Sequence, residues 1–226
     1  MSATTNESDE VNAGQAVYSP LTLAFYDLIV LGVSNAWIWR CPTKRLRALY
    51  DRNAKARHLD IGVGTGYFLD TCKWPVPNPE IALADLNLNS LQAAAKRIAR
   101  YAPTLQQHNV FEEFSPAEPF DSVGLNFLLH CLPGDGLLEK ATIFDSLRNI
   151  IAPSSRVFGS TITYDAAHRS GPATWLMSAY NRRGVFSNKN DLGDDLIAGL
   201  ESRFATVATE RYGSVLLFEA SGYKSA

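Results

Sequence analysis

A glycine-rich turn between a short apolar segment and a helical one carries the strongest chemical signal in this chain of 226 residues. The apolar segment ends on Asp60, and Gly62, Gly64 and Gly66 follow at alternate positions. Glycine tolerates positive φ and lets a ligand approach the backbone closely, and the N-terminus of a helix favours a negative group. A carboxylate such as Asp60 is unusual beneath a phosphate. We therefore predict a cofactor that carries an amino group.

The spacing of these glycines excludes two common nucleotide sites. G-x-G-x-G is not the G-x-G-x-x-G of dinucleotide sites, and no P-loop lysine follows. A second apolar segment, residues 81–84, ends on Asp85, with Leu86 beside it. A carboxylate at that distance from the turn suits a ribose diol. A tight strand-to-helix connection without any ligand is the alternative explanation of the glycines.

These two segments resemble the class I S-adenosylmethionine (SAM)-dependent methyltransferases. D-I-G-V-G-T-G at residues 60–66 is similar to the first motif of that family, and the acid of A-D-L-N at residues 84–87 is similar to the acid of its second motif. The resemblance covers residues 55–222. It is specific for the cofactor, SAM, and says little about the substrate.

The resemblance also implies roles for individual residues. Asp60 would favour the methionine ammonium, and Asp85 would hold the ribose. Asn109 stands where this family places a side chain on the adenine amino group, and the neighbouring Val110 would contact the adenine ring. An ordinary asparagine in a turn is the alternative explanation of Asn109.

A third segment, residues 122–127, is almost entirely apolar, which is typical of a central parallel strand buried on both faces. Ligands of open α/β sheets bind at the carboxyl ends of the strands. Asn126 lies at that end, where we expect it to reach the methionine part of the cofactor. His130 follows and is the candidate general base, because imidazole titrates near neutral pH. A histidine that only contacts the cofactor or caps a helix is the alternative.

Aromatic and apolar side chains near this edge are candidates for a substrate pocket. Trp39 beside Arg40 is suited to hold a carboxylate or an aromatic substrate. Half-buried core is the alternative for the aromatic residues of the N-terminal segment, and buried core is the alternative for Met177 and Tyr180. The substrate-binding candidates are Tyr18, Tyr26, Trp39, Tyr164, Met177 and Tyr180.

Alternation of strand-like and helical segments predicts the α/β class, with a doubly wound, mostly parallel seven-stranded sheet. Two final strands around Gly213 and Ser214 predict a C-terminal antiparallel hairpin, which the resembled family also has. We expect a disordered tail over residues 1–14, an N-terminal helical lid over 15–54 and a SAM-binding domain over 55–226. Packing of the first helices on the sheet edge is the alternative to a lid. Helices are predicted over 20–33, 42–52, 67–72, 89–101, 136–151, 172–183 and 191–204.

Composition limits the possible partners. The chain is 46% hydrophobic and 19% charged, with a net charge of -2 and no strong basic block, which disfavours nucleic acid. The three cysteines are scattered, so we expect no metal site and a reduced, cytoplasmic location. Residues 1–14 are too polar for a signal peptide, and the apolar run 21–33 is too short to span a membrane.

We expect a metal-free enzyme that methylates a hydroxyl, carboxyl or amine of a small apolar or aromatic metabolite, with secondary metabolism as its setting. It would act as a monomer or homodimer. A SAM-binding protein that transfers no methyl group, such as a cyclase, an isomerase or a regulatory partner, is the principal alternative. A protein methyltransferase is a third possibility, and it would need an open groove for a peptide.

Overall fold

A computed structural model of the chain describes residues 34–115 and 118–224. Within these ranges the chain forms one seven-stranded sheet, in the spatial order β3-β2-β1-β4-β5-β7-β6. The strands are β1 (Arg57–Ile61), β2 (Glu80–Asp85), β3 (Thr104–Gln107), β4 (Phe120–Asn126), β5 (Ile151–Ile162), β6 (Phe204–Tyr212) and β7 (Val215–Tyr223).

The first five strands pair in parallel, and β7 pairs antiparallel with both β5 and β6. The predicted sheet and its C-terminal hairpin are therefore confirmed. After β3 the chain crosses back over the sheet, and β4 pairs with β1 on the side opposite to β2. The order of the strands therefore reverses between β1 and β4. In open sheets, ligands bind at such a switch point, beyond the carboxyl ends of the strands.

Helices cover both faces of the sheet. Side chains of β2 alternate between two apolar clusters, with Ala82 and Ala84 in one and Ile81 and Leu83 in the other, as the period of two in a strand requires. In the described part of the chain, no helix is long and apolar enough to cross a membrane. The helices are α1 (Thr43–Asn53), α2 (Tyr67–Thr71), α3 (Leu88–Arg97), α4 (Leu137–Lys140), α5 (Gly171–Arg182) and α6 (Gly193–Arg203).

The continuous helix predicted over residues 136–151 is wrong. Only α4 is α-helical, and two 3₁₀ turns follow it at Ala141–Phe144 and Arg148–Ile150. The predicted apolar side chains are nonetheless buried, among them Phe144 and Leu147. Apolar positions three or four residues apart share one face in either helix type, so the pattern alone could not distinguish them.

The second half of the predicted lid lies against the sheet. Helix α1 packs on β5 and β7, and its Leu46, Leu49 and Tyr50 are buried. Asn53 donates from Nδ2 to Glu219 Oε2 at 2.7 Å. Helix α1 is therefore part of the core of the sheet domain, whereas the tail and the first predicted helix, residues 1–33, lie outside the described residues.

Candidate functional site

The glycine turn begins at the carboxyl end of β1 and leads into α2. Gly62 donates its backbone N–H to Ala84 O at 2.8 Å, which ties the turn to the end of β2. Gly62, Gly64 and Gly66 have φ values of 71°, 52° and 72°, a region that side chains with a Cβ rarely adopt. The predicted need for glycine is therefore met at all three positions.

The three glycines differ in what surrounds them. A Cβ at Gly62 would lie 2.8 Å from the Leu128 side chain, and one at Gly66 would lie 3.0 Å from the Ala94 backbone. A Cβ at Gly64 would meet no atom within 4 Å. Gly62 and Gly66 thus serve close packing, whereas Gly64 borders open space, which fits a ligand lying over the turn.

A buried network holds Asp60 below the turn. Tyr50 on α1 donates its hydroxyl to Asp60 Oδ2 at 2.8 Å, and His58 Nε2 lies 3.3 Å from the same oxygen. Burial, and next the charge of Asp60, raise the pKa of Tyr50 well above its usual value, so its hydroxyl stays a donor. Among the described residues, both hydrogen bonds to Asp60 use Oδ2, and neither uses Oδ1.

Two further residues complete this network. His58 Nδ1 lies 2.8 Å from Ser122 Oγ on β4. A carboxylate can only accept, so Nε2 is the donor toward Asp60, and the Ser122 hydroxyl is the partner of Nδ1. A Cβ at Gly124 would lie 2.7 Å from Asp60 Oδ2, so glycine at that position leaves room for the network. Asp60 is thereby fixed from the core side of the sheet.

Asp85 ends β2 beside the glycine turn. Burial raises the pKa of this carboxyl from 3.8 to about 6, although the N–H groups of Asn87, Val63 and Gly64 favour its charged form. The N–H of Asn87 donates to Oδ1 at 2.8 Å. Asp60 and Asp85 thus stand at the carboxyl ends of two adjacent parallel strands, on either side of the turn.

Two of the residues predicted to surround the adenine, Asn109 and Val110, lie beyond β3, which ends at Gln107. Leu86 is 36% exposed, whereas Val110 is buried. The side chain of Asn109 accepts a hydrogen bond from Phe111 N at 3.2 Å. Asn109 therefore shows the hydrogen bond of an ordinary turn asparagine, and its role toward adenine stays a prediction.

The carboxyl end of β4 is tied to β5. Asn126 Oδ1 accepts a hydrogen bond from Ser160 Oγ at 2.5 Å. Phe127 follows with a φ of 55°, an unfavourable conformation for an aromatic residue. Its N–H donates to Ser160 O at 2.8 Å, which holds it there. Strained backbone of this kind is concentrated at functional sites.

His130 is buried beyond the same strand. Burial, and next the positive charge of Lys140, lower its pKa to about 3. Its Nδ1 lies 3.4 Å from the backbone N of Ile162, which donates toward it. A general base must hold a proton for part of the cycle, so this environment disfavours the predicted catalytic role of His130 and favours a structural one.

Lys140 is itself fully buried and paired. Its Nζ donates to Asp191 Oδ1 at 2.8 Å and Oδ2 at 2.9 Å, and also to Ser187 O. Burial raises the pKa of Asp191 to about 6 even though Lys140 opposes the rise. The ammonium of Lys140 is therefore committed to this ion pair, and it lies close enough to His130 to disfavour protonation of the imidazole.

An aromatic cluster connects the ends of β4 and β5 with α5 and the segment before α1. It centres on Phe186, whose ring centroid lies 4.5 Å from that of His130, 4.9 Å from that of Tyr180 and 6.1 Å from that of Trp39. Phe127 lies 5.9 Å from His130. The structure thus brings the predicted Trp39 and Tyr180 to the same cluster.

The other predicted substrate residues are distributed differently. Met177 is buried in the same apolar core as Trp39. Tyr164 is partly buried, and the Arg169 guanidinium lies over its ring, with Cζ 3.8 Å from the centroid. Tyr18 and Tyr26 lie outside the described residues. Among the described residues, no group of three or more His, Cys, Asp or Glu side chains is arranged to hold a metal ion.

Several residues at this site were not predicted from the sequence. His58 stands two positions before Asp60, so both face the same side of β1; that spacing could have been recognised. Only tertiary packing brings Tyr50, Phe186 and Arg169 to the site, so no local sequence pattern could have predicted them.

The fold and the glycine turn define a SAM-dependent methyltransferase of class I. The profile of the methyltransferase domain family matches residues 38–196, which is more than half of the chain, and the chain belongs to this family. The solved DhpI–S-adenosylhomocysteine (SAH) complex has the same fold, with a TM-score of 0.61 and 16% identity over 96% of this chain and 97% of that chain. The N-methyltransferase NodS from Bradyrhizobium japonicum WM9 in complex with SAH matches with a TM-score of 0.55 and 15% identity over 80% of this chain and 85% of that chain.

Curated relatives are closer in sequence. The chain is 38% identical to demethylluteothin O-methyltransferase of Streptomyces thioluteus, over 93% of this chain and 92% of that protein. It is 34% identical to the physcion biosynthesis cluster O-methyltransferase of Aspergillus chevalieri, over 92% of this chain and 94% of that protein. These relatives match nearly the full length of this chain, including segments on both sides of the sheet's switch point.

Proposed function

We propose that the enzyme transfers the methyl group of SAM to an oxygen of a small aromatic or apolar metabolite, in secondary metabolism. One observation carries the cofactor assignment: Asp60 and Asp85 end adjacent parallel strands on either side of a glycine turn that borders open space at Gly64. The names of the demethylluteothin and physcion relatives favour oxygen as the acceptor atom. The aromatic cluster favours an aromatic or apolar substrate.

Each residue of the cofactor site has a proposed task. The carboxylate of Asp60 attracts the ammonium of the methionine part, directly or through water, and Asn126 contacts that same part. Asp85 accepts hydrogen bonds from the ribose hydroxyls. The glycine turn allows close approach of the cofactor to the backbone. At the far end, Leu86, Asn109 and Val110 surround the adenine.

Bound SAM supplies an electrophilic methyl group on a sulfonium that is a good leaving group. The protein then has to hold the acceptor oxygen in line with that methyl group and exclude water. We propose that the aromatic cluster performs these two tasks together with Tyr164 and Met177. The remaining part of the predicted lid, with Tyr18 and Tyr26, lies outside the described residues.

Two measurements test the proposal together. Calorimetric titration with SAM and with SAH, with and without a chelator, should give chelator-insensitive binding of both. Incubation with methyl-labelled SAM and a panel of small phenols and enols should transfer label to at least one of them. Tight binding without transfer to any acceptor would favour the SAM-binding protein without methyl transfer. Failure to bind either cofactor form would refute the site.

The wider setting is also a proposal. The low net charge of -2 supports a small-molecule substrate rather than nucleic acid. Three free cysteines, of which Cys41 and Cys72 are buried, support a reduced, cytoplasmic location. We propose a monomer or homodimer, which size-exclusion chromatography with light scattering would distinguish.

A further inference from the structure

Arg169 has an unusual environment on the loop after β5. This loop leaves the carboxyl end of β5, the same edge of the sheet that carries the glycine turn. The guanidinium lies over the Tyr164 ring, with Cζ 3.8 Å from the ring centroid. Within residues 34–115 and 118–224, its Nε and Nη1 atoms are buried and have no hydrogen-bond partner. Buried charged donors without an acceptor are costly, and such a group calls for an explanation.

Nearby carboxylates do not supply the missing acceptor. Asp165 Oδ2 accepts from Arg211 Nη1 at 2.5 Å, and both Asp165 oxygens accept from Gly193 N. Asp191 is paired with the buried Lys140. Both carboxylates thus already have other donors, and Nε and Nη1 of Arg169 remain buried donors without an acceptor among the described residues.

The loop that carries Arg169 also adjoins the aromatic cluster. Ser170 follows Arg169, caps α5 by accepting from Ala173 N at 3.2 Å, and donates to Ile38 O at 3.4 Å. Helix α5 carries Tyr180 of the cluster. Contact with the Tyr164 ring, whose centroid lies 3.8 Å from Cζ, restrains the guanidinium, and the planar fork of an arginine suits a planar anion.

We propose that Arg169 binds the reacting oxygen of the acceptor as an anion, so that the substrate is a phenol or enol acidic enough to be ionised near neutral pH. This inference rests on the proposed function and adds the substrate class. An ionised oxygen needs no base: it forms a bond to the methyl carbon while the carbon–sulfur bond breaks and sulfur takes the electron pair. The absence of an accessible proton acceptor at the buried His130 agrees with this assignment.

The test uses 4-nitrophenol as the probe, with the full-length enzyme saturated with SAH. Arg169 should stabilise the phenolate, so bound 4-nitrophenol should ionise at a lower pH than free probe, which its absorbance reports. In Arg169→Gln, the ionisation of bound probe should move to higher pH by about one unit or more. The affinity of the Arg169→Gln variant for the phenolate should be about 10- to 100-fold lower than that of the wild type, as expected for the loss of a charge-assisted hydrogen bond.

Matched variants and probes separate this role from a structural one. Arg182→Gln removes an exposed positive charge from α5 and should leave probe ionisation unchanged. Arg169→Lys keeps the charge without the planar fork and should recover part of the effect. Nitrobenzene, which has no ionisable oxygen, should bind wild type and Arg169→Gln equally.

Each remaining outcome has a defined meaning. Lack of SAH binding by the wild type would refute the proposed function and this inference with it. SAH binding with no binding of 4-nitrophenol, or with unchanged probe ionisation in Arg169→Gln, would overturn the role of Arg169 alone. Loss of 4-nitrobenzoate binding without any effect on 4-nitrophenol would assign Arg169 to a carboxylate away from the reacting atom, and would also overturn it.

Discussion

Replacing Asp85 by asparagine separates the binding role of this carboxylate from its effect on stability. Asparagine has nearly the same shape and keeps an oxygen that can accept the 2.8 Å hydrogen bond from Asn87 N, but it carries no charge. We expect Asp85→Asn to bind SAM about 10- to 100-fold more weakly, because a charge-assisted hydrogen bond to the ribose is weakened. Without ligand, we expect the variant to be more stable than the wild type.

The expected gain in stability follows from the pKa of Asp85. Burial raises this pKa from 3.8 to about 6, and one pKa unit corresponds to about 1.4 kcal/mol. The upper limit is therefore about 3 kcal/mol, and partial contact with solvent reduces it to about 1–2 kcal/mol. Because the folded-state pKa is above the unfolded-state value, the cost of the charge is absent below pH 3.8, grows up to about pH 6 and is complete above that.

Thermal unfolding and calorimetry measure the two effects. At about pH 8 the ligand-free variant should melt about 2–8 °C above the wild type, and the difference should vanish near pH 4. SAM affinity of the wild type should fall as pH drops through about 6, where Asp85 becomes protonated, and the variant should lack this dependence. Glu201→Gln, which neutralises an exposed acid on α6, is the control.

Two results would contradict this reasoning. Unchanged SAM affinity in Asp85→Asn would remove Asp85 from the cofactor site. A melting temperature at about pH 8 that falls below that of the wild type would show that the ionised carboxylate stabilises the fold, contrary to the direction of its pKa shift.

Further predictions concern the turn and the groups behind it. Tyr50→Phe removes the 2.8 Å hydrogen bond to Asp60. It should lower the free energy of unfolding by about 1 kcal/mol and weaken SAM binding several-fold. Wild-type SAM affinity in a calorimetric titration would show that this hydrogen bond does not contribute to cofactor binding. Gly66→Ala should lower the melting temperature strongly, because its Cβ would lie 3.0 Å from helix backbone and its φ is 72°. Gly64→Ala has room for a Cβ and bears only the strain of its φ of 52°, about 1–2 kcal/mol, so it should still fold but lose SAM affinity. His130→Gln should keep turnover within about 10-fold of the wild-type rate, with an unchanged pH profile, because a buried histidine that does not act as the general base serves only the packing around it. A loss of about 1,000-fold with SAM still bound would instead identify His130 as the base.

Local sequence patterns were sufficient for the strands and for most of the helices. Apolar runs with period two or full burial predicted the strands, and the glycines of residues 60–66 predicted a tight turn between a strand and a helix. These inferences succeed because backbone conformation and one-sided burial are local properties. The same locality explains the error over residues 136–151, where an apolar face three or four residues apart fits both α-helix and 3₁₀ turns.

The amino-acid sequence by itself determined the α/β class, the glycine turn and the acids at the ends of β1 and β2. Only the tertiary structure decided what these groups contact: Tyr50, ten residues before Asp60, donates to it, and Arg169 stacks on Tyr164 with two donors left unpaired among the described residues. It also decided the state of His130, whose burial beside Lys140 lowers its pKa to about 3. The physical reason is that burial and electrostatic environment depend on segments distant along the chain, whereas conformational preference depends on neighbouring residues.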